Sequence, residues 1–360
     1  NTSVIIYSGQ CSASCSAAGC FRAVPPDERT PGSEAAADPD GMTMSRSGIE
    51  ERLHGMFRRV CVTGGAGFIG SHLVDGLRRA GVMVVVLDDL STGRIENLAH
   101  HTDGVEFVEG SIEDATARED AVAGCDLVMH LASRVSVTES VAEPALYHRV
   151  VAEGTRDMLE SAASAGAGRL VLAGSCSVYG DAPPPIAETA TPAPASPYAE
   201  AKLLAESHCR SFAEAGRIAT ICPRFFNVYG PRQRADSPYS GVIAIFAARA
   251  AGGETPVIFG DGRQTRDFIH VEDVVRGLML AAMATDTGGG DAVNFGTGRG
   301  TDLLELAEAL HAGTPRFEAA RDCEVRHSVA DPGLAAAVLG FETEIDLAAG
   351  LASLGHRPTS

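Results

Sequence analysis

Tyr198 and Lys202 stand one helical turn apart in Tyr198-Ala199-Glu200-Ala201-Lys202. A helix there puts a phenol and an ammonium on one face. A lysine beside a tyrosine favours the phenolate, so a group that ordinarily ionises near pH ~10 can act as a base closer to neutrality. Well upstream, Thr63-Gly64-Gly65-Ala66-Gly67-Phe68-Ile69-Gly70-Ser71 carries glycines at i, i+3 and i+6. This segment follows the apolar run Val60, Cys61, Val62 and opens an amphipathic stretch with Ile69, Leu73, Val74 and Leu77. The pattern is that of a strand, a tight turn and a helix N-terminus. Such glycines let the backbone approach a pyrophosphate, while the helix dipole and free N–H groups hold its charge. Either motif alone is weak; together they point to hydride chemistry.

Two further positions sharpen this. Asp88 follows Gly70 by 18 positions, at the end of an apolar run from Val82 to Leu87. A carboxylate there accepts hydrogen bonds from the adenosine ribose and repels a 2′-phosphate, which favours NAD over NADP. The alternative is a solvated loop carboxylate. Ser175 lies in Gly174-Ser175-Cys176-Ser177-Val178-Tyr179-Gly180, just after the strand-like Arg169 to Ala173. It is placed to hydrogen-bond a substrate hydroxyl and Tyr198; the alternative is a serine capping a turn.

The elements that must position these residues alternate. Strands are expected at Val82 to Leu87, Glu106 to Val108, Asp126 to Leu131 and Arg169 to Ala173, with a helix over Val150 to Ala163. Alternation predicts an α/β fold, a Rossmann-type doubly wound parallel sheet covered on both faces, with ligands beyond the carboxyl ends of the strands. Residues 57–225 are expected to be mainly the dinucleotide-binding domain. Residues 226–360 are expected to be mainly a smaller C-terminal substrate-binding lobe, loop-rich in Gly, Pro and Arg, whose chain crosses back to the sheet, with helices at Val271 to Ala284 and Leu303 to Leu310. Residues 1–56, rich in Ala, Ser, Gly, Pro and Asp, read as a disordered or non-native extension.

Composition excludes other classes. The 360-residue chain is 45% hydrophobic, enough for a core, and its formal net charge of −18 argues against nonspecific nucleic-acid binding. No apolar run reaches the ~18 residues of a membrane span. The nine cysteines have no regular spacing, which suits free thiols in a reducing cytoplasm. Cys11, Cys15 and Cys20 have no nearby histidine or fourth cysteine, so no metal is expected.

Further motifs make a family resemblance plain: Leu87-Asp88-Asp89-Leu90-Ser91-Thr92-Gly93, Ser196-Pro197-Tyr198, Arg224-Phe225-Phe226-Asn227-Val228-Tyr229-Gly230-Pro231, Ser237-Pro238-Tyr239-Ser240-Gly241, Gly260-Asp261-Gly262 with Gln264-Thr265-Arg266-Asp267-Phe268, and Asn294-Phe295-Gly296-Thr297-Gly298. From about Arg58 to Leu351 the chain resembles the extended short-chain dehydrogenase/reductases of the NAD-dependent nucleotide-sugar epimerase family, and within it the UDP-glucose 4-epimerase type. The resemblance implies that Gly64, Gly67, Phe68, Ile69 and Gly70 hold the NAD pyrophosphate and Asp88 its ribose. It implies that Leu131, Ala132 and Ser133 line the cofactor, that Tyr198 is the base, and that Lys202 holds both Tyr198 and the nicotinamide ribose. Asn227, Arg266 and Arg321 match contacts to the sugar diphosphate, a task suited to guanidinium forks; a surface ion pair is the alternative for each arginine. A homodimer is implied, through the helices containing Val150 to Ala163 and Tyr198 to Phe212.

Departures from the family pattern bear on the reaction. Ser111 replaces the usual acid that holds adenine, and Asp322-Cys323-Glu324 replaces the common Pro-Gly-Asp after Arg321. Ser328 falls where residue size sets the sugar pocket, so UDP-GlcNAc is a candidate substrate beside UDP-glucose. Arg234 lies in a segment that reaches a carboxylate in uronic-acid epimerases. Sugar 4,6-dehydratases place Asp-Glu where this chain has Cys176 and Ser177, which disfavours that reaction, although Cys176 could itself be an acid/base. The expectation is NAD-dependent 4-epimerisation of a UDP-sugar. A nucleotide-sugar dehydratase using Cys176 and a non-catalytic dinucleotide sensor are the alternatives.

Overall fold

The computed structural model describes residues 44–354 apart from 237–240, 286 and 321–324. Arg321, Cys11, Cys15, Cys20 and the Ser237-Pro238-Tyr239-Ser240 motif therefore lie outside the described residues, as does most of the expected extension. That extension gives way to structure before residue 56. Helix α1 (Arg46–Met56) is capped by Ser45, which accepts the Gly48 N–H, and buries Ile49 and Leu53. Two apolar residues four apart are enough to seat one helical face, and the charged residues between them conceal the period.

From there strand and helix alternate: β1 (Arg59–Thr63), α2 (Phe68–Arg79), β2 (Met83–Asp88), β3 (Val105–Glu109), α3 (Ala115–Val122), β4 (Leu127–His130), α4 (Val137–Ala142), α5 (Pro144–Tyr147), α6 (Gly154–Ser164), β5 (Arg169–Leu172), β6 (Gly174–Ser175), α7 (Pro197–Glu214) and β7 (Ala219–Phe225). The second part adds β8 (Asn227–Tyr229), α8 (Val242–Ala251), β9 (Val257–Phe259), β10 (Thr265–His270), α9 (Val271–Met283), β11 (Gly289–Phe295), β12 (Gly300–Asp302), α10 (Leu303–Ala309), β13 (Arg316–Glu318), β14 (His327–Ser328), α11 (Gly333–Leu339) and α12 (Leu347–Ser353). The helix expected from Val150 begins farther upstream, because α5 runs through a π-helical stretch, His148–Glu153, into α6.

The large sheet has the order β3-β2-β1-β4-β5-β7-β11, with β6 beside β7, and every pairing is parallel. It is a doubly wound sheet of Rossmann type. Its order reverses between β1 and β4, which opens a crevice at their carboxyl ends. Near-continuous apolar strands such as Val84-Val85-Val86-Leu87 fit burial on both faces. One face is covered by α1, α2 and α9, through Leu53, Leu73, Leu77, Val274 and Leu278. The other is covered by α3, α6 and α7, through Ala121, Met158, Leu159 and Ala205.

The chain returns to the large sheet late: β11 pairs with β7, and buried Val293 and Phe295 join the first core. A separate core gathers Tyr229, Ile243, Phe246, Ile258, Phe268 and Leu306. Beside it, a small sheet sets β10 between β12 and β14, with β8 also on β10. This register places Arg266 opposite Ser328 and Phe268 opposite Asn227. Among the described residues, no helix is long and apolar enough to cross a membrane.

Candidate active site

The glycine turn is shaped by what cannot fit there. Gly64 has φ 70°, and a Cβ on it would come within 2.8 Å of the Ala132 nitrogen. A Cβ on Gly70 would collide with the Gly64 carbonyl oxygen. No side chain caps α2 at Gly67, so the first N–H groups of Phe68, Ile69 and Gly70 are left for an anion. Asp88 is buried at the end of β2; its Oδ2 accepts the Ala66 N–H at 2.9 Å and its Oδ1 the Leu90 N–H at 2.9 Å. Burial raises its pKa and these two N–H groups oppose the rise. Across the crevice, the Leu131 N–H reaches the Thr63 carbonyl at 3.1 Å and the Ala132 N–H reaches Thr63 Oγ1 at 3.0 Å. Ser133 Oγ donates to the Arg134 carbonyl at 3.0 Å. Ser111 Oγ accepts the Glu113 N–H at 3.1 Å and so serves its own turn.

The second group sits at the carboxyl ends of β5 and β6. Ser196 caps α7, and the next turn carries Tyr198 and Lys202, both buried. Ser175 hydrogen-bonds Tyr198, and its Oγ also lies 2.9 Å from Ser177 Oγ. Burial pushes the Tyr198 phenol up to about 12, and the Ser175 hydrogen bond draws it partly back. The depression expected from Lys202 is therefore absent in the protein alone. The Lys202 ammonium donates to the Ala173 carbonyl at 2.8 Å, and burial lowers its own pKa to about 8 against the opposing charge of Glu206. The Tyr198 ring meets Tyr147 edge-on at 6.2 Å. Helix α7 is fixed to β7 by a buried pair, with Arg224 Nε at 2.9 Å and Nη2 at 2.6 Å from the Glu206 carboxylate.

Facing this group is a wall of small polar residues. Ser328 Oγ donates to Cys176 Sγ at 3.8 Å. Burial pushes the Cys176 thiol up to about 11, so it is a neutral thiol near pH 7. Arg266 donates to its own Thr265 carbonyl at 2.9 Å and to the Arg326 carbonyl at 3.5 Å. Asn227 Nδ2 donates to the Asp267 carbonyl at 3.3 Å. Arg234 forks onto Asp236 at 2.8 and 3.0 Å and is exposed.

Several neighbouring residues are given no role by the sequence. His130 is neutral because burial lowers it to about 3, and it links Thr63 Oγ1 at 2.7 Å to Thr155 Oγ1 at 3.2 Å. Asp267 is fully buried and accepts from Thr297, Gly298 and Ala330, which holds β10 beside the Cys176 wall. Arg326 forks onto Asp261 at 2.6 and 2.8 Å. Contacts among residues so distant in sequence leave no local pattern.

Residues 60–296 match the model of the NAD dependent epimerase/dehydratase family. The chain belongs to that family. A UDP-glucose 4-epimerase of Mycolicibacterium smegmatis is 40% identical over 306 residues, covering 82% of this chain and 96% of that protein. A UDP-N-acetyl-alpha-D-glucosaminuronate decarboxylase of Bacillus cytotoxicus is 34% identical over 262 residues, covering 71% and 80%. The crystal structure of the Thermotoga maritima UDP-glucose 4-epimerase with UDP-glucose superposes with a TM-score of 0.78 at 37% identity, over 82% of this chain and 97% of that one. This chain is thus an enzyme of the extended short-chain dehydrogenase/reductase type, and its cofactor is NAD. The cradle fits that cofactor: its glycines leave no room for a Cβ where the backbone must close on a pyrophosphate, and its helix N-terminus is uncapped.

Proposed function

We propose that this enzyme interconverts the C4 epimers of a UDP-sugar through a 4-keto intermediate. The observation that carries the reading is the set of half-buried Ser175 and buried Tyr198 and Lys202 opposite a wall made by Cys176 and Ser328. It has a base, a relay and a cation but no carboxylic acid at 176 or 177 to eliminate water. NAD, when bound, supplies a reversible hydride acceptor. Tyr198 takes the proton of the sugar 4-hydroxyl, with Ser175 sharing the hydrogen bond. Lys202, one helical turn along α7, supplies the positive charge that favours the phenolate in the loaded site. Arg266, with Arg321, holds the diphosphate, Asn227 contacts it, and these contacts do not depend on which sugar face is presented. Gly64, Gly67, Phe68, Ile69 and Gly70 bind the dinucleotide pyrophosphate, Asp88 binds its ribose, and Leu131, Ala132 and Ser133 line its far side. Small Ser328 leaves room for an N-acetyl group, which brings UDP-GlcNAc within range beside UDP-glucose.

The test is proton NMR with mass spectrometry on the purified enzyme, given UDP-glucose, UDP-GlcNAc or UDP-glucuronate without added reductant. A new anomeric signal at unchanged mass is expected. A product lighter by one water would overturn the reading in favour of dehydration, and one lighter by carbon dioxide would favour decarboxylation. Tyr198→Phe should lower kcat by about 10³ while leaving NAD bound.

A further inference from the structure

Asp75, on α2, lies away from the Tyr198 group and has unusual company. Its Oδ1 is 2.8 Å from His100 Nε2 and 2.8 Å from His101 Nε2. Its Oδ2 is 2.8 Å from Arg232 Nη2. The two imidazoles lean on each other with centroids 4.1 Å apart. Among the described residues, this is the one group of three metal-ligating side chains whose ligand atoms all lie within 4.8 Å of one another. We propose that Asp75, His100 and His101 form a binding site for a divalent transition-metal cation such as Zn²⁺ or Co²⁺.

The geometry is already close to a coordination sphere. Metal–nitrogen and metal–oxygen bonds of about 2.0–2.1 Å in a tetrahedron put neighbouring ligand atoms about 3.3 Å apart, so the two Nε2 atoms need move only a few tenths of an ångström from Oδ1. At present both Nε2 atoms point at a carboxylate oxygen and must carry the proton. On binding, each Nε2 proton leaves through solvent, to Nδ1 of its own ring where that nitrogen is bare and otherwise to the solvent itself, and the Nε2 lone pair takes the cation. No redox step is needed. Arg232 keeps hold of Oδ2, orienting the carboxylate so that Oδ1 stays with the imidazoles. The Arg232 backbone adopts φ 65°, and its Nη1 is buried without a hydrogen bond among the described residues. The arginine is thus held in place at a conformational cost.

The donor set selects the cation. One carboxylate shared with a guanidinium offers little net charge, so a hard ion such as Mg²⁺ or Ca²⁺ gains little, whereas two imidazoles suit zinc, cobalt and nickel. The site opens on a hollow of about 420 Å³ lined also by Arg78, Arg79, Thr102 and Asp103, which leaves a fourth position for water. The bound ion would also brace the cradle. The segment carrying His100 and His101 touches the glycine turn, where the Arg94 N–H and Asn97 Nδ2 donate to the Ala66 carbonyl at 3.0 and 2.8 Å.

The test is titration of the full chain with Zn²⁺ by calorimetry and with Co²⁺ by visible absorption, in wild type, His100→Ala and His101→Ala. One equivalent should bind in wild type, with a nitrogen/oxygen Co²⁺ spectrum, and affinity should fall at least ~10-fold in each variant. The melting temperature should rise by roughly 3 °C or more at saturating Zn²⁺ in wild type only. His100 is half exposed, so its variant should fold, and an unchanged melt without metal verifies this. Absence of binding would overturn the proposal, as would equal binding in wild type and His100→Ala, or a thiolate charge-transfer band showing that cysteines hold the ion.

Discussion

The two walls of the crevice are built from different material. The dinucleotide wall is mostly backbone: glycines at Gly64 and Gly70 that exclude a Cβ, the bare N-terminus of α2, and one carboxylate, Asp88, fastened by two N–H groups. The opposite wall, the one proposed to take the sugar, is side chains: Cys176 and Ser328 in contact, Arg266 on loop carbonyls, Asn227 on β8. A backbone site tolerates few substitutions and binds one ligand shape. A side-chain wall can be re-cut by changing one residue, and relatives named as an epimerase and as a decarboxylase both align over most of this chain. Lys202 is set apart by burial, its ammonium donating to the Ala173 carbonyl.

Substitutions at these positions put the contrast to the test. The largest effect concerns Lys202, which ionises near 8 in the folded chain against 10.5 for a free side chain. Between those values the unfolded chain binds more protons. The cost of burying this ammonium is therefore fully present below about pH 8 and is relieved as pH rises to about 10.5. Wild type should gain up to about 3 kcal/mol relative to Lys202→Met across that window, read from urea unfolding of both chains. Groups common to both, such as the buried Cys61 and Cys125, cancel in the difference. A gap that stays constant with pH would mean that Lys202 is not carried as a buried charge.

Gly70→Ala probes the backbone wall. The added methyl meets the Gly64 carbonyl, so NAD affinity by calorimetry should fall about 100-fold; a change within threefold would remove the steric account of the cradle. Arg266→Ala probes the other wall. If Arg266 is a charged donor to the diphosphate, its loss should raise KM for the nucleotide sugar about 10- to 30-fold, while NAD affinity holds. A matching loss of NAD affinity would show that the walls are not independent. The smallest effect is expected at Ser328→Tyr. If the small wall admits an acetamido group, the kcat/KM ratio of UDP-GlcNAc to UDP-glucose should drop about tenfold; an unchanged ratio places that pocket elsewhere.

Much of the first wall is legible in the sequence, because its determinants are local. A Gly-x-x-Gly-x-x-Gly turn, a following amphipathic helix and an acid after the next strand lie within about 30 residues, and each obeys a short-range rule. Tyr198 and Lys202 are legible for the same reason, one turn of one helix. The sugar wall is legible only as a resemblance. Its Cys176, Ser328 and Arg266 come from three distant segments, and only β10 pairing with β14, beside the end of β6, brings them together. Arg234 forks onto its near neighbour Asp236. The start of the fold lies upstream of where composition puts it, because α1 buries only a narrow stripe that an average over residues hides.

Periodicity and close spacing encode the alternation of strand and helix, the glycine turn and the Tyr198/Lys202 pair, so the chain's own residue order is enough to specify them. The ionisation state of those groups is different: it exists only in the assembled fold. Burial, which no local pattern reports, raises Tyr198 to about 12 and lowers Lys202 to about 8. Assembly also selects which distant side chains meet: Glu206 with Arg224, Cys176 with Ser328, and Asp75 with His100 and His101. Those meetings depend on sheet order and register, and side chains far apart in sequence become neighbours only once the whole sheet has formed.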